Sequence, residues 1–270
     1  MGRLLAAAIT LLTLATVGAF ATGRWWFPLT AAAHGSAIDR QFKVTLWIVT
    51  IAFVAAQLAL AAAVWRFRSS AGRRASHFIG SSRIELICFA ITATVFIVLA
   101  AMGQRVWAGL RMSEPQPGAL EVEITAQQFV WNFRYAGKDG RFGATSPALY
   151  NDENNSPTAR PGPVGIEPSD SRGTDDLVSV GVVVIPLGRP VRLIIRSKDV
   201  THSFFVPELR IKQDAVPGLS IAVAFTPTRE GRFEIACAEL CGLSHHKMRG
   251  FLEIRKPEDF ESWLDQKSKE

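Results

Sequence analysis

"GRFEIACAELCGLSHHKMRGFLEIR", residues 231–255, is the stretch on which the reading of the fold turns. "GRFEIAC" (231–237) and "GFLEIR" (250–255) alternate apolar and polar residues, the signature of half-buried strands. Between them lie Cys237 and Cys241 of the chain's three cysteines, His245 and His246, and Met248. The spacing is C-x-E-x-C-G-x-x-H-x-x-M. Two thiols, an imidazole and a thioether are soft or borderline metal donors within one turn of chain. Zinc sites are built from Cys, His and carboxylate, whereas a thioether points to copper. A Cys237–Cys241 disulfide in an oxidising compartment and a zinc site are the plainer alternatives, and neither has a use for Met248. A copper loop usually takes one more ligand from another strand. "DVTHSFFVPELRIKQDAVPG" (199–218) offers His202, the only other histidine beyond residue 110. His246 falls outside the spacing and reads as a surface or supporting residue.

Outward from this stretch the pattern is of short strands. "ALEVEIT" (119–125), "QFVWNFRY" (128–135), "LVSVGVVVIP" (177–186), "RPVRLIIRS" (189–197) and "SIAVAFTP" (220–227) each read as one strand. With the two above they give about seven, divided by turn residues, which implies a β-sandwich or barrel. "PEDFESWLDQ" (257–266) opens with Pro and two acids and reads as a terminal helix. The segment 137–176 is rich in Gly, Pro, Asn and Asp and reads as a long loop, either functional or disordered.

The first 109 residues differ. They carry ten Lys/Arg against only Asp39 and Glu85, whereas residues 110–270 carry twenty against twenty-two acids. The basic balance therefore belongs to the N-terminal part, and a nucleic-acid-binding domain, which would itself be basic, is disfavoured. Three uncharged runs, 4–21, 44–65 and 86–102, are the reason. A spanning helix needs about 20 apolar residues. The second and third qualify with their flanks, and "RFRSSAGRRASHFIGSSR" (66–83), with Arg66, Arg68, Arg73, Arg74 and Arg83 and no acid, puts their link in the cytoplasm. The chain beyond about residue 110 then lies outside. Trp65, Trp107 and Trp25–Trp26 suit the membrane interface. The first run, ending in Ala19-Phe20-Ala21, reads as a signal peptide or as an extra helix. Cys88, inside the third run, reads as a packing residue.

At this point the chain resembles cytochrome c oxidase subunit II. "CAELCGLSHHKM", with "VTHSFFVPELRIKQDAVPG" upstream and paired membrane helices before it, carries the resemblance over roughly residues 40 to 266. It implies a membrane-anchored all-β chain. Residues 1–23 would be a signal peptide or extra transmembrane helix, and 40–110 a two-helix transmembrane hairpin. Residues 111–270 would be a periplasmic cupredoxin-like Greek-key β-barrel with the long loop at 137–176.

It further implies a dinuclear copper centre, CuA, with Cys237 and Cys241 bridging, one copper on each of His202 and His245, Met248 as a weak ligand and the Glu239 backbone carbonyl opposite. The Glu239 side chain would reach a magnesium ion at subunit I. The chain would take electrons from a c-type cytochrome, soluble or membrane-bound, and pass them to haem a of an aa3-type oxidase in the bacterial cell membrane. Its partners would be subunit I, with haem a, haem a3 and CuB, and subunit III. Oxygen chemistry and proton translocation would lie outside this chain, which binds no haem itself, since it has no C-x-x-C-H signal. Glu85 in "SRIELICF" would mark a proton-channel entrance, and Asp214 would face subunit I.

The chain departs from the family at one notable place. Subunit II typically carries Q-W-x-W before the barrel. Here "AQQFVWNFRY" has Phe129 at the first aromatic position and Trp131 at the second. Both are candidates for the point where electrons come in, and the loss of an indole N–H predicts donor kinetics unlike those of Trp-bearing relatives. Two other classes compete. A quinol oxidase subunit keeps the fold but loses the copper ligands, all of which are present here. A membrane-tethered copper carrier or cupredoxin would need neither Glu239 nor paired helices.

Overall fold

The computed structural model describes residues 1–23, 26–69, 72, 74, 80–111, 116–150 and 162–269. The expectations for Trp25, Arg73 and the 151–161 part of the long loop lie outside the described residues. The chain divides into two units, one of Met1–Trp26 with Ala37–Gly109, the other of Phe27–Ser36 with Leu110–Glu270.

The first unit is helical. Helices α1 (Gly2–Ala21), α2 (Gly35–Arg66) and α3 (Ser82–Arg111) are all long and apolar enough to cross a membrane. The chain is thus suited to membrane anchoring. In α1 the polar groups are satisfied within the helix: the hydroxyls of Thr10, Thr13 and Thr16 donate to the carbonyls of Ala6, Ile9 and Leu12. Cys88 is exposed on α3, so the expected packing role is not met inside this chain.

Among the described residues, the second unit holds ten strands and a terminal helix. The strands are β1 (Leu120–Gln127), β2 (Val130–Tyr135), β3 (Leu177–Val180), β4 (Val182–Pro186), β5 (Val191–Ser197), β6 (His202–Val206), β7 (Ile211–Ala215), β8 (Ile221–Phe225), β9 (Gly231–Cys237) and β10 (Arg249–Arg255), followed by α4 (Pro257–Lys267). They form two five-stranded sheets, β3-β2-β1-β5-β8 and β4-β10-β9-β6-β7. The β1–β5 and β4–β10 pairs are parallel and the others antiparallel. This is the expected cupredoxin-like fold behind apolar helices, in the form of a two-sheet sandwich. Alternate residues of each strand, among them Val122, Ile124, Trp131 and Phe133 of one sheet and Ile185, Phe204, Ile235 and Leu252 of the other, meet in one core.

Two expectations need correction. The single strand 177–186 is two, because Gly181 stands at φ +75 and the chain changes sheet there. A residue with a Cβ strongly disfavours that conformation. The Gly181 N–H donates to Trp131 O, and its carbonyl accepts from Phe251 N–H, so the crossing point is hydrogen-bonded on both sides. Secondly, β6 and β7 run through residues read only as a source of His202.

The long loop is ordered where it is described. Residues 144–146 pair with 165–167, and Val164 and Ile166 pack on Val178. It covers the outward face of the first sheet, which is why Glu123, Thr125, Gln127 and Asn132 are buried although they alternate with core residues. Under it, Arg134 is buried. Its guanidinium donates to Asp176 (2.6 Å), Glu123 (3.0 Å) and the Gly143 carbonyl, and Phe142 stacks on it at 5.0 Å.

The segment between α1 and α2 belongs to this unit too. Ala31 and Ala32 are buried, Ala31 N–H donates to Glu208 O (2.8 Å), and Thr228 N–H donates to Ala31 O (2.8 Å). The Arg210 guanidinium lies 5.0 Å over the Phe27 ring.

Candidate metal centre

Strands β6, β9 and β10 lie side by side, and the site sits where they begin or end. His202 opens β6, Cys237 closes β9, and Arg249 opens β10 just after Met248. The base of the 238–248 loop is closed by Cys237 N–H to Met248 O (3.2 Å) and Ala238 N–H to Ser203 O (2.9 Å). Inside it Gly242, at φ +137, turns the chain, and a 3-10 turn, His245–Lys247, brings it back. A Cβ on Gly242 would lie 2.7 Å from Gln128 Nε2 and 3.1 Å from Phe129 Cζ, so the loop is seated against the β1–β2 turn.

The donor atoms converge. Cys237 Sγ lies 3.8 Å from Cys241 Sγ, 3.2 Å from the Glu239 carbonyl and 3.9 Å from His202 Nδ1. Cys241 Sγ lies 3.6 Å from His245 Nδ1 and 3.7 Å from Met248 Sδ, and Met248 Sδ lies 3.1 Å from His202 Nδ1. The sulfurs are too far apart for a disulfide, whose S–S length is about 2.05 Å, and both cysteines are free. The ligand atoms of His202, Cys237 and Cys241 all lie within 4.8 Å of one another, a group able to hold a metal ion. Burial, and then the neighbouring Cys237, push the Cys241 thiol up to about 12. Two thiolates this close require a cation between them. The donor set, two sulfurs with imidazoles and a thioether, fits a soft metal better than zinc.

One residue that the sequence reading passed over holds this set in place. Asp199 Oδ1 accepts from His202 Nε2 (2.8 Å), which leaves Nδ1 facing the sulfurs. Its other oxygen accepts from Gln128 N–H (2.7 Å), and Gln128 Nε2 donates to Cys241 O (2.6 Å). Burial opposes the Asp199 charge, but hydrogen bonds from Gln128, His202 and Val200 hold its carboxyl below the usual range. The i, i+3 spacing of Asp199 and His202 was the available signal.

The other anticipated residues fall as follows. Trp131 is buried, edge-on to His202 (6.2 Å) and Phe204 (5.7 Å), while Phe129 is half-buried against Gly242. His246 and Glu239 are exposed. Asp214 lies on β7, 3.0 Å from Lys212, and Ser203 and Lys212 hold its carboxyl low. Glu85 lies in the first turn of α3 and is exposed.

Fold and site together define a class: a β-sandwich protein with helices apolar and long enough to cross a membrane and a cluster of soft metal-donor atoms at the end of one sheet. Residues 167–254 match the model of the cytochrome c oxidase subunit II periplasmic domain. The alternative cytochrome c oxidase subunit 2 of Bradyrhizobium diazoefficiens is 36% identical over 243 residues, covering 90% of this chain and 83% of that one. Cytochrome c oxidase subunit 2 of Cereibacter sphaeroides is 32% identical over 208 residues, covering 76% and 67%. Among solved structures, the periplasmic domain of subunit II of cytochrome oxidase from Bradyrhizobium japonicum aligns with TM-score 0.41 at 22% identity, over 58% of this chain and 98% of that one. The chain belongs to the cytochrome c oxidase subunit II family. Any oxidase activity is therefore that of a complex in which this chain is one component.

Proposed function

We propose that this chain is the electron-accepting subunit of an aa3-type haem–copper oxidase. The observation that carries the reading is the convergence of six donor atoms, from His202, Cys237, the Glu239 carbonyl, Cys241, His245 and Met248, at the end of β6, β9 and β10. These residues would hold the two coppers of CuA, and the Glu239 side chain a magnesium ion toward subunit I. When bound, such a centre supplies one-electron redox chemistry with the electron shared by two metals. The chain's own part is to keep the ligands still. The hydrogen bonds at Cys237 and Ala238 fix the loop base, Asp199 fixes the His202 ring, and Gln128 fixes the Cys241 carbonyl. Buried Cys241, Met248 and His202 exclude water. A c-type cytochrome would deliver electrons near Phe129 and His245. Subunit I would accept them at haem a and reduce oxygen, with Glu85 at a proton-channel entrance and Asp214 on the subunit I side.

The chain would sit in the bacterial cell membrane with the β unit outside. One feature supports this: the α2–α3 link is rich in Arg and holds no acid.

The test is the electron paramagnetic resonance spectrum of the purified full chain loaded with copper. A purple species whose hyperfine pattern comes from one electron shared by two coppers is expected. A single-copper spectrum would favour a copper carrier and would falsify the reading.

A further inference from the structure

The end of the sandwich that bears the cluster is apolar and cationic. Leu243 is 97% exposed, Leu240 78% and Leu219 54%. Among the ligand side chains, His202, Cys241 and Met248 are buried, whereas Cys237 and His245 are half-buried, so solvent reaches the cluster beside Cys237 and beside His245. The His245 side chain is flanked along the chain by Leu243, His246 and Lys247. Lys247 is exposed and has no ion pair among the described residues. Arg249 follows, with only a 3.9 Å contact to Glu234, both side chains more than half exposed. Lys198 stands at the same end, stacked on Tyr150 at 4.9 Å.

The described strand-connecting loops at this end contain two carboxylates, and a third, Asp214, stands on β7 in register with Ser203 and 3.0 Å from Lys212. Asp199 is committed to His202, Gln128 N–H and Val200 N–H. Glu239 is the position assigned above to magnesium on the subunit I side. The loops at 128–129, 181 and 216–220 carry no charge at all. A donor whose haem edge is ringed by lysines would meet like charge here. Like charges facing one another suppress association, and opposite charges speed it.

Resting on the electron-accepting role proposed above, we infer that the surface around Leu243, His246 and Lys247 docks a c-type cytochrome whose haem edge is apolar and rimmed by carboxylates. Its ferrous haem iron becomes ferric as one electron leaves it for the site.

The experiment uses the intact, purified oxidase containing this chain and two ferrous c-type cytochromes of similar potential, one carboxylate-rimmed and one lysine-rimmed. Initial oxidation rates are followed from about 10 mM to about 150 mM ionic strength, over which the screening length falls from about 30 Å to about 8 Å. The carboxylate-rimmed donor is expected to be about tenfold faster at low salt and to slow as salt is added. The lysine-rimmed donor should hold its rate or gain. Lys247→Glu should flatten the first salt dependence while leaving the copper spectrum unchanged. If it disturbs that spectrum, Arg249→Glu puts the same question from the start of a strand. A lysine-rimmed donor that is faster at low salt and slows with salt overturns the proposal, as does indifference of both donors to salt and to both substitutions. Loss of the two-copper spectrum from the unaltered complex would instead remove the electron-accepting role itself.

Discussion

Asp199 and Gln128 show what a single residue adds to a set of ligands. An imidazole binds a metal through a nitrogen lone pair, and a carboxylate on the other nitrogen selects which one is free and fixes the ring plane. At 2.8 Å from His202 Nε2, Asp199 does this, and it ties the same ring to the β1–β2 turn through Gln128. Asp199→Asn keeps the shape and weakens the interaction. The expected result is a copper affinity lower by about 10- to 100-fold, measured by chelator competition on the full chain, with the fold intact by circular dichroism. Unchanged affinity would make Asp199 a surface residue only. The ligands themselves were legible because four side chains of the set share one twelve-residue motif and His202 was the only other histidine beyond residue 110. Asp199 offered only its i, i+3 spacing to His202, and Gln128 offered no signal, because its hydrogen bonds to Asp199 and Cys241 depend on distant segments meeting at one end. No local spacing encodes that meeting.

Elements were legible in proportion to how far local pattern decides them. The apolar runs and alternating strands declared themselves, since each buries one face or all of its surface. Gly181 did not, because the apolar run of 177–186 continues on both sides of it and only the change of sheet reveals the turn. The 137–176 segment was ambiguous for a related reason. Its polar composition describes a loop, while its order comes from Arg134 and Asp176, which lie at its edges and in the neighbouring strand. Within the described residues that clamp is a buried charge cluster: Arg134 faces Glu123 and Asp176, and Arg196 also reaches Glu123 at 2.9 Å. Breaking a buried pair from one side strands a charge. Arg134→Met should destabilise the fold by about 3–5 kcal/mol, read by denaturant unfolding of the full chain in detergent. It should also open the 137–150 segment to proteolysis while leaving copper loading of the folded fraction intact. Equal stability of the two proteins would show that the loop is held by Val164, Ile166 and Val178 alone.

For the molecule as a whole, the charge asymmetry and the apolar runs identified a membrane part and an outer β part from composition, because partition between water and lipid depends on summed residue properties. The join between α1 and α2 escaped that reading. Ala31 and Ala32 are small residues in a short connector, and only their burial and backbone hydrogen bonds show that they complete the β unit. The site is likewise a property of the assembled sandwich. Its donors come from β6, from the end of β9 and from the loop into β10, so an unfolded chain offers no preformed cluster. A ligand that binds only the folded state stabilises it by mass action, by about 4 kcal/mol when its free concentration is 1,000 times Kd. For a β unit of this size that is a rise in Tm of about 10 °C. Copper added to the metal-free full chain in detergent should produce such a shift, and chelation should reverse it. The double substitution Cys237→Ser and Cys241→Ser should abolish the shift, because hydroxyls in place of the two sulfurs, which lie 3.8 Å apart, are poor ligands for a soft metal. A shift of the same size in the double variant would mean that copper binds elsewhere on the fold, and that the convergence of His202, Cys237, Cys241, His245 and Met248 is packing without ligation.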